Sequence, residues 1–192
     1  MSTKTFDIVG YIQEHGRVMK SLDIDSAQSA INLVVAKATS GKRIFTCGNG
    51  GSASTASHYI TDWNKMANLA TGEPFRGICL SDNMGLVTAY GNDISFEDVF
   101  AGQIKSLADS GDLLVVVSGS GNSPNILRAI QTARNLDLAV VGVLGYDGGK
   151  AKGMCDEVFH AITWDMQIAE DIHLSFGHMV MKAICNEDIQ YS

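Results

Sequence analysis

Histidines and carboxylates stand at helical spacing in two separate stretches of this sequence. His58 and Asp62 are four residues apart, so on a helix they share one face with Cβ atoms roughly 6 Å apart, which suits two ligands of one metal ion. Glu170 and His178 are eight residues apart, about 12 Å of helix rise, and two long side chains leaning toward each other could just share an ion across that gap. A surface pair is the alternative interpretation of His58 and Asp62, and a hydrogen-bonded packing role is the better interpretation of His173.

Two glycine- and serine-rich segments could bind an anion. The first loop (residues 47–52) reads Cys-Gly-Asn-Gly-Gly-Ser, and the second loop (residues 118–123) reads Ser-Gly-Ser-Gly-Asn-Ser. Their glycines let backbone N–H groups approach a ligand closely, and a helix N-terminus behind each loop favours negative charge. Either loop alone could be a tight turn with serine caps, but two such loops in one short chain favour a phosphate or sugar-phosphate site.

The first loop also fits a loose dinucleotide-binding pattern through Gly48, Gly50 and Ala53. That pattern calls for an acidic residue about 20 positions further on, at the end of the next strand. Asp82 stands 29 positions after Ala53, so it is poorly placed to bind the ribose of a nicotinamide cofactor. The loop therefore favours a sugar phosphate over a dinucleotide.

The elements that must position these residues alternate between strands and helices after an amino-terminal helical hairpin. Apolar spacing predicts two helices within residues 1–41, the second with Asp25 or Ser26 as its N-cap and Gly41 as its stop. Strands are predicted at residues 43–47, 77–80, 113–117, 139–144 and 157–162, and helices after the first loop to about residue 66, at 125–135 and at 168–186. Apolar strands that alternate with helices predict an α/β three-layer sandwich with a central parallel sheet, a single domain over residues 1–192. Ligands bind beyond the carboxyl ends of such strands, where both loops fall.

Composition excludes several classes of protein. The 192 residues carry a net charge of −7 and are 45% apolar, which is enough for a sizeable core and unlike a disordered chain. The acidic balance without a Lys/Arg cluster argues against nucleic-acid binding, and the longest apolar run, residues 113–117, is far below the roughly 20 residues of a membrane-spanning helix. No secretion signal begins the sequence, and its cysteines are dispersed, so we expect a cytoplasmic protein with reduced thiols at Cys47, Cys79, Cys155 and Cys185.

The two loops, together with the Gly-Asn-Asp run at residues 91–93, resemble the sugar isomerase (SIS) domain. Within that family the chain is most similar to the bacterial phosphoheptose isomerases, from its amino-terminal helices to its closing helix. The resemblance implies a flavodoxin-like fold and an aldose–ketose isomerase that converts sedoheptulose 7-phosphate to D-glycero-D-manno-heptose 7-phosphate through an enediol. It also implies a cytoplasmic homo-oligomer, a tetramer with active sites at subunit interfaces, that serves heptose biosynthesis.

The resemblance assigns metal-binding and catalytic residues. It implies one Zn²⁺ per subunit, held by His58, Asp62, Glu170 and His178, where the family has Glu and Gln in place of Asp62 and Glu170. Two carboxylates and two imidazoles remain a sound ligand set for zinc. Asp62, or Glu170 after this exchange, would be the general base, and His178 would be its acid/base partner. Met66 stands where the family has a basic residue, and the second loop begins Ser-Gly-Ser where the family has Ser-Thr-Ser.

The resemblance also assigns substrate-binding residues. The phosphate would be held by four serines, Ser52, Ser118, Ser120 and Ser123. The sugar would be lined by Asn49, Gly50, Gly51, Asn92 and Asp93, with Gly119 and Glu170 completing the site. SIS domains also occur as non-catalytic sugar-phosphate sensors and protein-binding regulators, which need no metal and no acid/base residues. The presence of both histidines with two carboxylates favours the enzyme.

Overall fold

The computed structural model describes residues 5–186. Its strands are β1 Ile44–Gly48, β2 Gly77–Cys79, β3 Leu113–Ser118, β4 Ala139–Leu144 and β5 Glu157–His160. Its helices are α1 Ile8–Lys20, α2 Ile24–Thr39, α3 Gly51–Thr71, α4 Met84–Asp93, α5 Ala101–Leu107, α6 Pro124–Asn135, α7 Gly149–Lys152 and α8 Met166–Cys185, with a 3₁₀ turn at Phe96–Asp98. Among the helices of residues 5–186, none is long and apolar enough to cross a membrane.

The five strands form one parallel sheet in the order β2-β1-β3-β4-β5. The order reverses direction between β1 and β3, and the flavodoxin-like topology binds ligands at such a switch point. Strands β1 and β3 are in register to their ends, with Gly48 opposite Val117. The first and second loops therefore leave the sheet side by side, as the sequence predicts.

Helices cover both faces of the sheet, which confirms the predicted three-layer sandwich. In β3, Leu113, Val115 and Val117 pack with α2, α3 and α8, whereas Leu114 and Val116 pack with α5 and α6. All five side chains are at most 1% exposed. Because both faces of the strand are buried, the sequence is apolar without alternation.

Several predicted boundaries differ from the structure, among them those of α2, α3 and β5. Helix α2 begins earlier than predicted, because its N-cap is Asp23 rather than Asp25 or Ser26, and the Asp23 carboxylate accepts a hydrogen bond from the Ser26 amide at 3.1 Å. Helix α3 runs past the predicted residue 66 to Thr71 and ends at Gly72, whose φ of 76° lies in the left-handed region. Strand β5 stops at His160 rather than at residue 162.

The segment between β2 and β3 folds into helices that the sequence pattern does not predict. Helix α4 has no buried residue, and α5 is only seven residues long. Neither therefore shows the apolar period of a helix packed on a core. Asn92 and Asp93, which the sequence predicts to line the sugar, lie in the last turn of α4, and both are exposed.

The amino-terminal hairpin packs on α8 but leaves an apolar surface uncovered. The Tyr11 hydroxyl donates to Asp171 Oδ2 at 2.6 Å, and this carboxylate partner raises the pKa of Tyr11 to about 12. On the outer face of α1, Ile8, Val9 and Ile12 are 65%, 63% and 64% exposed. A contiguous apolar surface of this kind is typical of a protein–protein contact.

Candidate functional site

A cavity of about 160 Å³ lies between the first and second loops. It is lined by Asn49, Ser52, Val117, Ser118, Gly119, Ser120, Ser123, Met166 and Glu170. Seven of these nine residues were predicted from the sequence to bind substrate, while Val117 and Met166 were not. Gly50 and Gly51 stand beside the cavity, at the start of α3. The structure thus brings both loops together around one site.

Serine hydroxyls of the second loop are oriented to donate toward this cavity. Ser118 Oγ accepts a hydrogen bond from the Gly121 amide at 3.1 Å, and Ser120 Oγ accepts one from the Asn122 amide at 3.2 Å. A hydroxyl oxygen that accepts from the backbone keeps its own proton for another partner. Both serines can therefore donate to an anion without giving up the contacts that hold the loop.

Two helix N-termini point at the cavity, and in neither does the N-cap residue make a side-chain capping bond. Helix α3 begins at Gly50, whose φ is 55°, and α6 begins at Ser123, which makes no side-chain capping bond. By contrast α1, α2 and α8 each begin at an aspartate whose carboxylate accepts from the first turn. At α6 Pro124 has no N–H and the Ile126 amide is bonded to Asn125 Oδ1, so α6 offers few free amides, but both helix ends keep the partial positive charge of the helix dipole for an anionic ligand.

A reciprocal amide pair that the sequence analysis missed joins the two loops. Asn49 Nδ2 donates to Asn125 Oδ1 at 2.9 Å, and Asn125 Nδ2 donates back to Asn49 Oδ1 at 2.8 Å. Asn125 is 2% exposed, and its Oδ1 also accepts from the Ile126 amide. The sequence did contain a signal for this contact: Asn125 stands in the first turn after the second loop, where a side chain faces back toward the strand ends. The pair ties the first loop to the first turn of α6.

Glu170 enters the cavity from α8. Its carboxylate lies directly against Gly51, so that a Cβ at Gly51 would overlap the carboxylate oxygens. This places a negative charge at the N-terminus of α3, where the helix dipole stabilises it. A second anion is therefore disfavoured at the N-terminus of α3, and the N-terminus of α6 is the one without a carboxylate against it among the contacts of the described residues.

The predicted metal ligands are only partly brought together. His58 Nε2 lies 3.1 Å and His178 Nε2 lies 3.7 Å from Asp62 Oδ2, and the two imidazole rings are 5.3 Å apart. Within residues 5–186 these three side chains are the group whose ligand atoms approach closely enough for one metal ion, and Glu170 is outside it. We refer to His58, Asp62 and His178 as the His–Asp–His cluster.

The His–Asp–His cluster fits a zinc ion. Ligand atoms about 2.1 Å from a tetrahedral zinc are about 3.4 Å apart, close to the measured 3.1 and 3.7 Å. Two imidazoles and one carboxylate are a known catalytic donor set, which leaves a fourth position for substrate or another ligand. The cluster is 26–47% exposed, so a ligand can reach it.

The His–Asp–His cluster and the cavity share the same two helices. Six residues separate Ser52 from His58 on α3, and eight separate Glu170 from His178 on α8. At 1.5 Å per residue these separations are about 9 and 12 Å along parallel helices. The cluster thus lies roughly two helical turns from the anion-binding end.

His173 is a buried packing histidine, as the sequence predicts. The residue is fully buried, and neither ring nitrogen makes a hydrogen bond of ordinary geometry among the described residues, although the Leu144 carbonyl lies near the ring and acts on it electrostatically. Burial lowers the pKa of His173 to about 4; the Leu144 carbonyl offsets this in part, and His160 adds to the lowering. The ring is therefore neutral at physiological pH. His173 is not among the three side chains whose ligand atoms approach one another closely.

Asn92 and Asp93 are not brought to the cavity by the described part of this chain. Both side chains are exposed, and Asn92 Nδ2 donates to Asp93 Oδ1 at 2.7 Å. Their predicted contact with the sugar stays a prediction.

Comparisons with known proteins agree on one family. The family described as SIS domain matches residues 10–145. The chain is 35% identical over 171 residues to the phosphoheptose isomerase of Campylobacter concisus, covering 89% of this chain and 87% of that protein. It is 36% identical over 140 residues to the phosphoheptose isomerase of Nitratidesulfovibrio vulgaris, covering 73% of this chain and 67% of that protein. The solved phosphoheptose isomerase of Neisseria gonorrhoeae superimposes with a TM-score of 0.84 at 27% identity, covering 92% of this chain and 96% of that one.

Proposed function

Because the chain belongs to the SIS domain family and its relatives are phosphoheptose isomerases, we propose that it is a phosphosugar isomerase that converts sedoheptulose 7-phosphate to D-glycero-D-manno-heptose 7-phosphate. One observation carries the assignment beyond family membership. The anion-binding cavity and the His–Asp–His cluster lie on the same pair of helices, α3 and α8. A sugar-phosphate sensor needs the cavity alone, whereas an isomerase also needs groups that move a proton.

The phosphate of the substrate binds at the second loop in this proposal. Ser118, Ser120 and Ser123 line that side of the cavity, and the positive end of the α6 dipole adds to their hydroxyl donors without any cationic side chain. The cavity of about 160 Å³ is smaller than a typical ligand pocket of about 300–1,000 Å³. The carbon chain must therefore extend beyond it, along α3 and α8.

The reaction moves one proton between C1 and C2 and shifts the carbonyl between the same two carbons. A base removes the C1 proton of the ketose, the C2 oxygen is protonated to complete the enediol, and return of the proton to C2 with loss of the O1 proton gives the aldose. Asp62 and Glu170 are the two carboxylates available as the base, and His178 is the acid/base partner 3.7 Å from Asp62. The variants Asp62→Asn and Glu170→Gln, compared at equal zinc content, assign the role, since loss of the base lowers kcat by about 100-fold or more.

We propose that His58, Asp62 and His178 hold one Zn²⁺ per subunit. Glu170 is the fourth ligand that the family resemblance implies, and to reach the ion it would have to leave its contact with Gly51. When bound, the ion would polarise the substrate carbonyl and stabilise the oxyanion of the enediolate. The imidazoles of His58 and His178 must be neutral to bind it, so zinc affinity falls as the pH is lowered.

We propose that the protein is a homotetramer. Ile8, Val9 and Ile12 leave an apolar face on α1 that a neighbouring subunit can cover. Asn92 and Asp93 lie outside the cavity of their own chain, which is consistent with active sites at subunit interfaces. Light scattering tests the assembly, and a monomeric mass at micromolar concentration would contradict it. A cytoplasmic location stays a prediction from the sequence.

The deciding experiment combines a metal analysis with an isomerase assay. Purified protein and His178→Ala are assayed on sedoheptulose 7-phosphate, and binding of the same sugar phosphate is measured by calorimetry. We expect turnover by the wild type, and binding with little turnover by the variant, because the serine loops are intact. Binding without turnover by the zinc-loaded wild type would instead favour the non-catalytic sensor.

A further inference from the structure

We propose that Tyr59, Trp63 and Gly177 are positioning residues that fix the register of α3 against α8 and so set the spacing of the His–Asp–His cluster. The inference rests on the proposed metal-binding role of that cluster. None of the three residues lines the cavity or belongs to the His–Asp–His cluster.

Two hydrogen bonds connect the helices at matched intervals. The Tyr59 hydroxyl donates to the backbone carbonyl of His173, and Trp63 Nε1 donates to the backbone carbonyl of Gly177 at 2.8 Å. The donors are four residues apart on α3, and the acceptors are four residues apart on α8. Such a pair is satisfied in one register only, because a slide of one residue moves the helices by about 1.5 Å and breaks both bonds.

The two aromatic rings form a rigid unit. Tyr59 and Trp63 are at most 1% exposed, and their rings stack with centroids 5.0 Å apart at 21°. A buried hydroxyl or indole N–H that is left without a partner destabilises the folded state. Both donors therefore hold α8 at the two carbonyls rather than merely filling space.

Gly177 allows this close approach. It lies in the interior of α8, where glycine is less favourable than alanine, so a packing reason is expected. A Cβ at this position would overlap the ring of Tyr59. The absence of a side chain thus lets the Tyr59 ring rest on the backbone of α8.

Each contact stands next to a ligand of the His–Asp–His cluster in the sequence. His58 precedes Tyr59, Asp62 precedes Trp63, and His178 follows Gly177. Metal–ligand distances tolerate errors of only about 0.2 Å. A change in the α3–α8 register would therefore separate His178 from the two ligands on α3 long before it exposed the core.

The test measures Zn²⁺ affinity rather than turnover. The variants Tyr59→Phe, Trp63→Phe and the double variant keep buried rings and remove the two donors. Gln103→Met is the matched control, since Gln103 is 2% exposed and donates to two backbone carbonyls, at 2.9 and 2.7 Å, on the opposite face of the sheet. Metal-free protein is titrated with Zn²⁺ against a chelator of known affinity, with urea unfolding curves recorded for each variant.

We expect the double variant to bind Zn²⁺ about 10- to 100-fold more weakly, the range found when groups that orient metal ligands are removed. Gln103→Met should lose comparable stability and keep the wild-type affinity. Equal Zn²⁺ affinity in the wild type and the double variant would overturn the inference, as would an equal loss in the Gln103→Met control. Failure of the wild-type chain itself to bind Zn²⁺ would refute the metal site of the proposed function, and with it this positioning role.

Discussion

Replacing His173 by leucine should stabilise the protein, although the residue lies in the centre of α8. The side chain is fully buried, and its ring nitrogens make no hydrogen bond of ordinary geometry, the Leu144 carbonyl being the acceptor that acts on the ring. Leaving a buried polar group without a good hydrogen bond costs about 1–3 kcal/mol. Leucine has a similar volume and no polar atom, and the backbone carbonyl of residue 173 that accepts from Tyr59 is retained. The expected gain in the free energy of unfolding at pH 7 is therefore about 1–3 kcal/mol.

The gain should grow as the pH falls. Burial lowers the pKa of His173 from 6.5 to about 4. Between these two pH values His173 is therefore protonated in the unfolded chain and neutral in the folded chain. Stability is then full above pH 6.5 and is lost as the pH falls toward 4. At about 1.4 kcal/mol per pH unit, the wild type should lose about 2 kcal/mol between pH 7 and pH 5 that His173→Leu keeps.

Urea unfolding of metal-free protein at pH 7 and pH 5, at one protein concentration, measures both effects. His160 and the other ionisable groups are common to both chains, so their contributions cancel in the difference. His15→Leu, on α1 and outside the core, controls for the loss of any histidine. A difference between wild type and His173→Leu that is the same at both pH values would refute the reasoning, and so would a variant that is less stable at pH 7.

Three further predictions concern the site. Ser120→Ala and Ser123→Ala should each weaken binding of sedoheptulose 7-phosphate by about 1–2 kcal/mol in calorimetry, and unchanged affinity in both would make the second loop a capped turn. Asn125→Ala should lower the free energy of unfolding by about 1–3 kcal/mol and also weaken substrate binding, because it leaves the Asn49 amide unpaired. Asp62→Glu and Glu170→Gln should show non-additive effects on zinc content and turnover if both residues serve one metal site, and strict additivity, or full activity in a strong chelator, would count against that site.

The strands of the sheet could be predicted because each is indicated by a short, continuous stretch of sequence. A run such as residues 113–117 is apolar on both faces and is followed at once by a polar loop, so the strand and its carboxyl end are both visible in the sequence. Helix α4 was not visible, because a helix with no buried residue leaves no periodic signal. The start of α2 was misplaced for a related reason, since Asp23, Asp25 and Ser26 are all acceptable caps and only the packed structure selects among them.

The site, like the fold, was predictable where it depends on local sequence and not where it depends on packing. The pairing of His58 with Asp62 follows from helical spacing, and the serine loops follow from their composition. The position of Glu170 could not be predicted from the sequence, because its contact with Gly51 depends on how α8 packs beside α3 and on one side-chain rotamer. The Asn49–Asn125 pair could not be predicted either, because its partners are 76 residues apart and meet only when β1 and β3 become neighbours.

The distribution of charge in the cavity favours one orientation of the proposed substrate. Glu170 holds a carboxylate at the N-terminus of α3, which leaves the N-terminus of α6 for the phosphate. Among the residues that line the cavity none is Lys or Arg, so binding depends on short-range donors rather than on an ion pair. The two helix ends then differ in what they favour, one a phosphate and the other the neutral hydroxyls of a sugar. A phosphosugar bound with its phosphate at α6 extends its carbonyl end toward α3 and α8, the helices that carry the groups needed to move a proton.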